Sequence, residues 1–522
     1  MNATRRVFFN TTALTAMKLL GLLVSFIVTP FTIHELGMAD YGLWAILSGM
    51  VNYFTLVDFG AGSTFITQFS LFYAESNRQG IREVMTFGIV FYLTLGLILV
   101  PVAWFVAPHL TNWFHVAPVE SSMVTRVFWC TYAYLFVSQA VGGFGTLLNA
   151  AQKMVFTSVL GFVSQLLNSL ILIVSLVMHL SLYSFVIANY ASLAASTVAT
   201  LLAARRCVSG PLTCPPWRIR PEIVKKLFSF GAWMQINNLS NQVNMETDRV
   251  LIGMAVSAEA TGVYQLANKL ALLCRYLPLN LLGALLPAFS DMEVQGEKSK
   301  IRMAYVEGSR YLALMSFYVA GFTLAASAPI TVVWLGKLQP SLIPMLALLL
   351  VSYVINNLTG VGTTFLRAVA KPRLETYYAV LGSVLNIILT LVLAPKFGMW
   401  GILWGTVIGS AIGSVYFLWI FNKSIHVSWW EGLLAWIWPI AATTVISGAL
   451  VYLFSTLSLG AIGDSRLVAA VATVGLGIVY TISFIGCLRV FRCFSEEDRA
   501  RFLSVLPDRL VRPSIKWKWG QY

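Results

Sequence analysis

The chain has 522 residues, of which 58% are hydrophobic and only 11% are charged, whereas an ordinary soluble domain carries about 25% charged residues. This composition excludes a water-soluble enzyme and a soluble nucleic-acid-binding domain, so the net charge of +14 has to reflect where Lys and Arg lie along the chain. No secretory signal peptide precedes the first apolar segment, and we expect that segment to stay in the mature protein.

About fourteen apolar segments are each long enough to cross a bilayer, for which a helix needs about 20 residues. In chain order they are predicted at 10–34, 43–71, 82–107, 122–149, 155–178, 182–204, 230–255, 259–289, 303–335, 340–366, 374–395, 398–421, 430–456 and 466–489. The sequence therefore predicts an all-α, polytopic membrane protein.

The loops between these segments alternate sharply in basic residues. About 26 of the 35 Lys and Arg lie in the N-terminus, in every second loop and in the C-terminal tail. The opposite loops carry about three, Lys337, Lys396 and Arg466. The positive-inside rule then predicts that both termini are cytoplasmic, which an even number of spans requires.

A short sequence repeat suggests two related halves. The segment LGMADYGLW at 36–44 is echoed about 220 residues later by VSAEATGVY at 256–264, and more weakly by FGMWGILW at 397–404. Short glycine turns between helices also look alike without any repeat. We predict a six-helix lobe at 1–204, a basic, proline-containing cytoplasmic linker at 205–229 and a second six-helix lobe at 230–423. Two extra helices at 424–489 and a cytoplasmic, basic amphipathic tail at 490–522 would follow. Paired bundles of this kind enclose the central site of many secondary transporters.

Several motifs together resemble one known family. The turn at 36–44 followed by DFGAG at 58–62 looks like the start of a Wzx-type polysaccharide flippase. The segments DRVLIG at 248–253 and GVYQLA at 262–267 resemble its seventh and eighth helices, and FLRA at 365–368 with Lys371 and Pro372 resembles its tenth helix and the following loop. The resemblance covers about 5–425 and points to the multidrug/oligosaccharidyl-lipid/polysaccharide exporter superfamily.

The resemblance implies both a mechanism and a place in the cell. Two six-helix lobes would alternate access and carry an undecaprenyl-pyrophosphate-linked oligosaccharide across a bacterial inner membrane, with coupling to an ion gradient. The implied pathway is the synthesis of cell-surface polysaccharide, such as O-antigen or exopolysaccharide. Implied partners are membrane lipids and the polymerase or glycosyltransferases of the same pathway, and we expect a monomer.

Ionisable side chains within spans are costly, by about 2.5–3.5 kcal/mol at mid-helix, and usually face a bundle interior or water. The deepest cations are Lys18, Lys269 and Arg275, and we predict that they bind the pyrophosphate headgroup, since Arg offers bidentate pairing to phosphate. The alternative is a structural ion pair with Asp58 or another carboxylate. Arg126 and Arg310 lie nearer the span ends, where a long side chain reaches the interface.

Span seven carries a polar stripe. Asn237, Asn241, Asn244 and Asp248 recur at helical spacing and so share one face. Span ten shows a shorter version in Asn356, Thr363 and Arg367. We predict that both stripes line an aqueous cavity and contact sugar hydroxyls. The alternative is hydrogen bonding between helices, worth about 0.6 kcal/mol per contact in membranes.

Carboxylates inside spans can carry a proton or coordinate sodium, and the candidates are Asp58, Glu246 and Asp248. Asp248 could equally pair with its neighbour Arg249. No Cys or His spacing fits a metal site, so neither a metal nor a cofactor is expected.

Other function classes fit less well. An ATP-driven pump needs a Walker A loop, which is absent from the sequence. The longest outer loop, about 108–121, offers only His109, His115 and Glu120, so we expect no enzyme activity. A multidrug exporter and a lipid II flippase of the same superfamily stay open as alternatives.

Overall fold

The computed structural model describes residues 3–58, 61–115, 120–208, 210–221, 239–240, 242, 246–369, 371, 373–462, 465–491 and 493. Three residues of the predicted span-seven stripe, Asn237, Asn241 and Asn244, lie outside these residues. So does most of the predicted tail at 490–522, which is not described from 494 onwards. The backbone of Lys18 is described and its side chain is not.

The described residues form eighteen helices. The first eight are α1 Ala3–Asn52, α2 Ala61–Ala74, α3 Arg78–Ile98, α4 Val100–Val106, α5 Leu110–Trp113, α6 Ser121–Ala150, α7 Met154–Val177 and α8 Tyr183–Val208. A helical segment at 246–255 precedes α9 Ala258–Leu279, α10 Leu285–Val294, α11 Lys298–Ala325, α12 Ser327–Leu335, α13 Leu342–Asn357 and α14 Gly360–Ala368. The last four are α15 Arg373–Phe397, α16 Met399–Ser424, α17 Ala435–Ile462 and α18 Arg466–Val490.

Nine spans of the described chain are long and apolar enough to cross a membrane. The number rises to eleven when α11 with α12, bent by 71°, and α13 with α14, bent by 40°, each count as one broken span. The prediction of an all-helical, multi-pass membrane protein is confirmed.

The first two predicted spans share one helix. α1 runs for 50 residues, which at 1.5 Å per residue is about 75 Å, more than twice the thickness of a bilayer core. Gly37 interrupts it with φ 82° and ψ 169°, a conformation that favours glycine because a Cβ would be strained there. The kink divides α1 into a half for the first predicted span and a half that begins the second.

The structure divides into two compact units. The first comprises Met1–Ile301 and Gln339–Phe421. In it α1 packs against α6, α7 and α9, α9 also packs against α13, and α3 and α8 pack against α6. Aromatic and aliphatic side chains fill its cores, with Phe128, Leu47 and Leu147 fully buried. This unit holds the candidate site.

The second unit comprises Arg302–Leu338 and Asn422–Tyr522. Its core is aromatic, since Tyr318 packs against Tyr480 and Phe484 of α18. An ion pair joins Arg302 to Glu431. The ninth predicted span therefore groups with the two C-terminal spans, while the division of the sequence into lobes stays a prediction.

Candidate functional site

A small polar cavity lies among the helical segment 246–255, α9, α13, α15 and α16 in the first unit. Its volume is about 100 Å³, room for several water molecules or a small ion. Its polar lining consists of Asp248, Tyr264, Arg275, Ser352, Tyr353, Asn356, Tyr378, Asn386, Thr406 and Ser410. One carboxylate and one guanidinium thus share a cavity otherwise lined by amides, hydroxyls and apolar groups.

Asp248 is the carboxylate of this cavity, and it is only 1% exposed. The Thr406 hydroxyl lies 2.9 and 2.8 Å from its two oxygens, and the Tyr264 hydroxyl donates to Oδ2 at 3.4 Å. Thr406 also accepts from the Asn386 amide at 3.1 Å. Within the described residues Asp248 makes no ion pair, so the direct hydrogen bonds to this buried carboxylate come from neutral hydroxyls.

Arg275 is the cation of the same cavity. Its Nη2 donates to Asn356 Oδ1 at 3.1 Å, and its guanidinium lies 5.0 Å from the Tyr353 ring centroid. The Tyr353 hydroxyl in turn donates to Asn268 Oδ1 at 2.7 Å. Among the residues that the structure describes, the Arg275 Nε has no hydrogen-bond partner. A half-buried guanidinium that retains an unused donor is suited to an anion, because charge-assisted hydrogen bonds to Arg are strong.

Lys269 belongs to a different surface of α9. Its ammonium donates to the Thr29 hydroxyl of α1 at 2.7 Å and lies 5.8 Å from the Tyr41 ring centroid. No carboxylate within the described residues pairs with it. Lys269 and Arg275 therefore do not converge on one point: one faces α1, and the other faces α13.

The three candidate carboxylates lie in three different settings. Glu246 forms an ion pair with Arg249 one turn later and accepts from the Asn52 amide at 3.2 Å. Asp58 accepts a hydrogen bond from the Tyr92 hydroxyl in the first half of the chain. Since Arg249 pairs with Glu246, the alternative pair between Asp248 and Arg249 is not formed, and Asp248 is the carboxylate that faces a cavity.

The span-ten stripe is divided by a break in the helix. Asn356 lines the cavity, but α13 ends at Asn357 and α14 continues at an angle of 40°. The Thr363 hydroxyl then donates to the carbonyl of Gly360 in its own helix, and Arg367 pairs with Glu375. The predicted cavity face therefore reduces to Asn356, because the bend turns the other two positions away.

Sequence reasoning missed the cavity residues of spans eleven and twelve. Asn386 and Thr390 are one turn apart on α15, and the Thr390 hydroxyl donates to Asn386 Oδ1 at 3.1 Å. Thr406 and Ser410 are likewise one turn apart on α16. Polar pairs at this spacing on apolar helices are the signal that could have found them.

The cavity offers little to a transition metal. Within the described residues no group of three or more His, Cys, Asp or Glu side chains is placed to hold a metal ion. Its oxygen ligands come instead from one carboxylate, two amides and hydroxyls, a set suited to a proton or to a hard monovalent cation.

Comparison with known proteins places the chain in a recognisable group. A family described as polysaccharide biosynthesis protein matches residues 36–338. The uncharacterized membrane protein EpsK of Bacillus subtilis (strain 168) is 22% identical over 405 residues, which are 74% of this chain and 76% of that protein. The teichuronic acid biosynthesis protein TuaB of the same organism is 29% identical over 158 residues, covering 30% of this chain and 32% of the relative.

Solved structures show the same fold at low sequence identity. The lipid II flippase MurJ in an inward closed conformation matches with a TM-score of 0.67 and 15% identity, over 92% of this chain and 99% of that one. An inward-facing multidrug resistance transporter of the MATE family in the MOP superfamily matches with a TM-score of 0.60 and 15% identity, over 78% and 94%. These similarities establish a shared transporter fold.

Proposed function

This chain belongs to the polysaccharide biosynthesis protein family, and on that premise we propose that it is a flippase. Its substrate would be an undecaprenyl-pyrophosphate-linked oligosaccharide that crosses the inner membrane for the synthesis of cell-surface polysaccharide. The observation that carries the proposal is the pair of cations on α9, Lys269 and Arg275, neither of which forms an ion pair with a carboxylate of the described residues. A cation inside a span that forms no ion pair is suited to an anionic ligand.

Arg275 is the better placed of the two for a pyrophosphate. Asn356 and the Tyr353 ring hold its guanidinium, and no other described residue bonds to its Nε. Fixing a guanidinium in advance lowers the entropy lost when it binds phosphate oxygens. Because the cavity of about 100 Å³ is far smaller than an oligosaccharide, the sugar would need the surrounding helices to separate.

We also propose that a cation, either a proton or sodium, binds at Asp248 and couples transport to an ion gradient. Asp248 and Arg275 line the same cavity, so their opposite charges offset each other when no further ion is present. A cation on Asp248 would leave the positive charge of Arg275 unbalanced and strengthen its attraction for an anion, since charges interact strongly where water is scarce. The two ligands would then bind cooperatively.

The helices and the relatives establish that the protein crosses a membrane several times. The identity of that membrane and the side on which the termini lie are proposals. Both termini would be cytoplasmic, as the distribution of Lys and Arg predicts. The protein would act as a monomer, with no cofactor, beside the polymerase or glycosyltransferases of its pathway. The second candidate substrate is lipid II, favoured by the shared fold over 92% of this chain.

The experiment is deletion of the gene in its native host, followed by analysis of lipid-linked oligosaccharides and surface polysaccharide. We expect a complete lipid-linked repeat unit to accumulate inside while surface polymer is lost, and wild-type protein to restore export. Accumulation of lipid II would instead identify a lipid II flippase. Normal glycans with increased sensitivity to cationic drugs would contradict the proposal and point to a multidrug exporter.

A further inference from the structure

Two stretches of the first unit run antiparallel against each other in a regular register. Asn52 bonds Glu246, the Tyr53 hydroxyl lies 2.8 Å from that of Thr247, and a Cβ added to Gly253 would meet Ile46 Cδ1 at 2.5 Å. These contacts continue to Met38 and Gly262 at the other end. We call this contact, of residues 38–53 with 246–262, the crossing.

The crossing has a local two-fold axis. A Cβ built on Gly42 would fall 2.7 Å from the Gly262 nitrogen and closer still to the Ala258 carbonyl oxygen. A Cβ built on Gly262 would fall 2.5 Å from the Met38 carbonyl oxygen. Gly42 and Gly262 are 220 residues apart, and so are Met38 and Ala258. Gly42 therefore meets the carbonyl of Ala258, and Gly262 meets the carbonyl of Met38, the position equivalent to Ala258. The contact is reciprocal, as in an isologous interface.

The same offset relates the breaks in the two helical stretches. Gly37 kinks α1, and Ser257, 220 residues later, is the extended N-cap of α9, whose hydroxyl accepts from the Ala260 nitrogen at 3.1 Å. The short sequence repeat is thus matched by an equivalent break and an equivalent close approach. Chance similarity between glycine turns explains neither the reciprocal contacts nor the shared break.

Equivalent contacts flank the axis, and both of them bring a cation from residues 246–279 to a small residue of α1. Lys269 reaches Thr29, and Arg249 lies against Gly49. Thr29 and Arg249 are equivalent by the offset of 220, as are Gly49 and Lys269. The two cations differ in their partners: Arg249 is paired with the carboxylate of Glu246, whereas Lys269 is held by a hydroxyl and an aromatic ring.

We infer that the crossing is the gate that closes the transport path on the membrane face opposite the termini, and that Gly42 and Gly262 must separate for it to open. The inference rests on the proposed transport function. Both breaks, at Gly37 and Ser257, fall in loops predicted on the non-cytoplasmic side. The charge of Arg249 is neutralised by Glu246 in its own helix. A bound anion would therefore compete with Thr29 for the ammonium of Lys269.

The test places a reporter inside the crossing. Ala45 is 3% exposed. It lies seven residues after Met38, three after Gly42 and four before Gly49, so it shares their face of the helix. The parent is a functional variant in which the six cysteines are replaced and Ala45→Cys is introduced. A membrane-impermeant maleimide applied to intact cells reports how often Cys at this position becomes accessible from outside.

We expect Gly262→Ala to raise the labelling rate by roughly tenfold, the change that about 1.4 kcal/mol produces, because its methyl group meets the Met38 carbonyl. Gly42→Ala should raise it further, since three backbone atoms oppose its methyl group. The matched control is Gly161→Ala, where an added Cβ meets no atom of the described residues within 4 Å and labelling should equal that of the parent. If Gly42→Ala lowers protein abundance, Gly262→Ala carries the test alone.

Equal labelling in Gly262→Ala and Gly161→Ala would overturn the gate, as would labelling that occurs only in inverted vesicles. The assay needs no substrate, so its outcome is separate from that of the gene deletion. Labelling that rises in Gly262→Ala while the deletion strain accumulates no lipid-linked oligosaccharide would leave the gate standing and contradict the flippase.

Discussion

Lys269 and Arg275 lie on one helix, α9, but serve different neighbours. The Lys269 ammonium donates to Thr29 of α1 at 2.7 Å, and the Arg275 guanidinium donates to Asn356 of α13 at 3.1 Å. Six residues at 100° each place two side chains about 120° apart around a helix. Substitutions of the two cations should therefore have separable effects, one on the crossing and the other on the cavity.

Arg275→Ala should lower export by about 10- to 100-fold, which corresponds to the loss of one hydrogen bond to a charged group at ~1.5–3 kcal/mol. Arg275→Lys should restore only part of it, since Lys keeps the charge and loses the planar fork that meets both Asn356 and phosphate. The measurement is the ratio of lipid-linked oligosaccharide to surface polymer, with protein abundance determined on the same membranes.

The matched control for Arg275 is Arg126→Ala, because Arg126 is an exposed arginine near the start of α6. Export by this variant should match wild type. If Arg275→Ala lowers abundance as much as it lowers export, the arginine is structural and does not bind the headgroup.

Lys269→Met should abolish export at normal abundance, because it keeps an unbranched side chain one heavy atom shorter and removes the charge proposed to meet the anion. Thr29→Val removes the hydroxyl that holds the ammonium, and Thr29 is only 2% exposed. We expect it to weaken closure of the crossing and to raise labelling of the Ala45→Cys reporter.

Thr32→Val is the control for Thr29. Thr32 is equally buried on the same helix, but its hydroxyl donates to the carbonyl of Val28 within that helix at 3.0 Å. Its labelling should stay at the parental rate. A rise of the same size in both valine variants would show that any lost hydroxyl in α1 loosens the crossing.

Asp248→Asn should uncouple transport from the ion gradient, because the amide keeps the hydrogen-bonding shape and cannot hold a proton or balance a sodium charge. The measurement is export into inverted vesicles with a proton gradient or a sodium gradient imposed in turn. Wild type should respond to one of them and Asp248→Asn to neither. Asp291→Asn, an exposed carboxylate of α10, should respond as wild type does, and an unchanged response in Asp248→Asn would exclude this coupling site.

Hydropathy alone predicted an all-helical, multi-pass membrane protein, because a segment that crosses lipid must be a long apolar helix whatever its partners are. Helical spacing could also have shown that Lys269 and Arg275 diverge and that Glu246 faces Arg249 three residues later. It could not show that Asn386 and Thr406 meet around Asp248, because those contacts join different helices. The bend after Asn357 was likewise invisible, and it is what separates Arg367 from Asn356.

The shape of the polar cavity depends on close packing between α15 and α16, two of the helices that line it, and glycines permit this packing. A Cβ at Gly409 would meet the Asn386 nitrogen at 2.7 Å, and one at Gly405 would meet the Thr390 nitrogen at 2.9 Å. Small residues at such interfaces let backbones approach closely. Gly409→Ala should therefore displace Asn386 and destabilise the protein by about 1–3 kcal/mol.

Thermal aggregation of the detergent-solubilised protein measures the loss of stability in Gly409→Ala. Gly142→Ala is the control, since an added Cβ there meets nothing within 4 Å in the described part of the chain, and alanine should stabilise the helix slightly. Because Asn386 bonds Thr406, which bonds Asp248, Gly409→Ala should also weaken the response to the ion gradient in vesicles. A variant with lower thermal stability and an unchanged gradient response would separate the packing of α15 and α16 from coupling at Asp248.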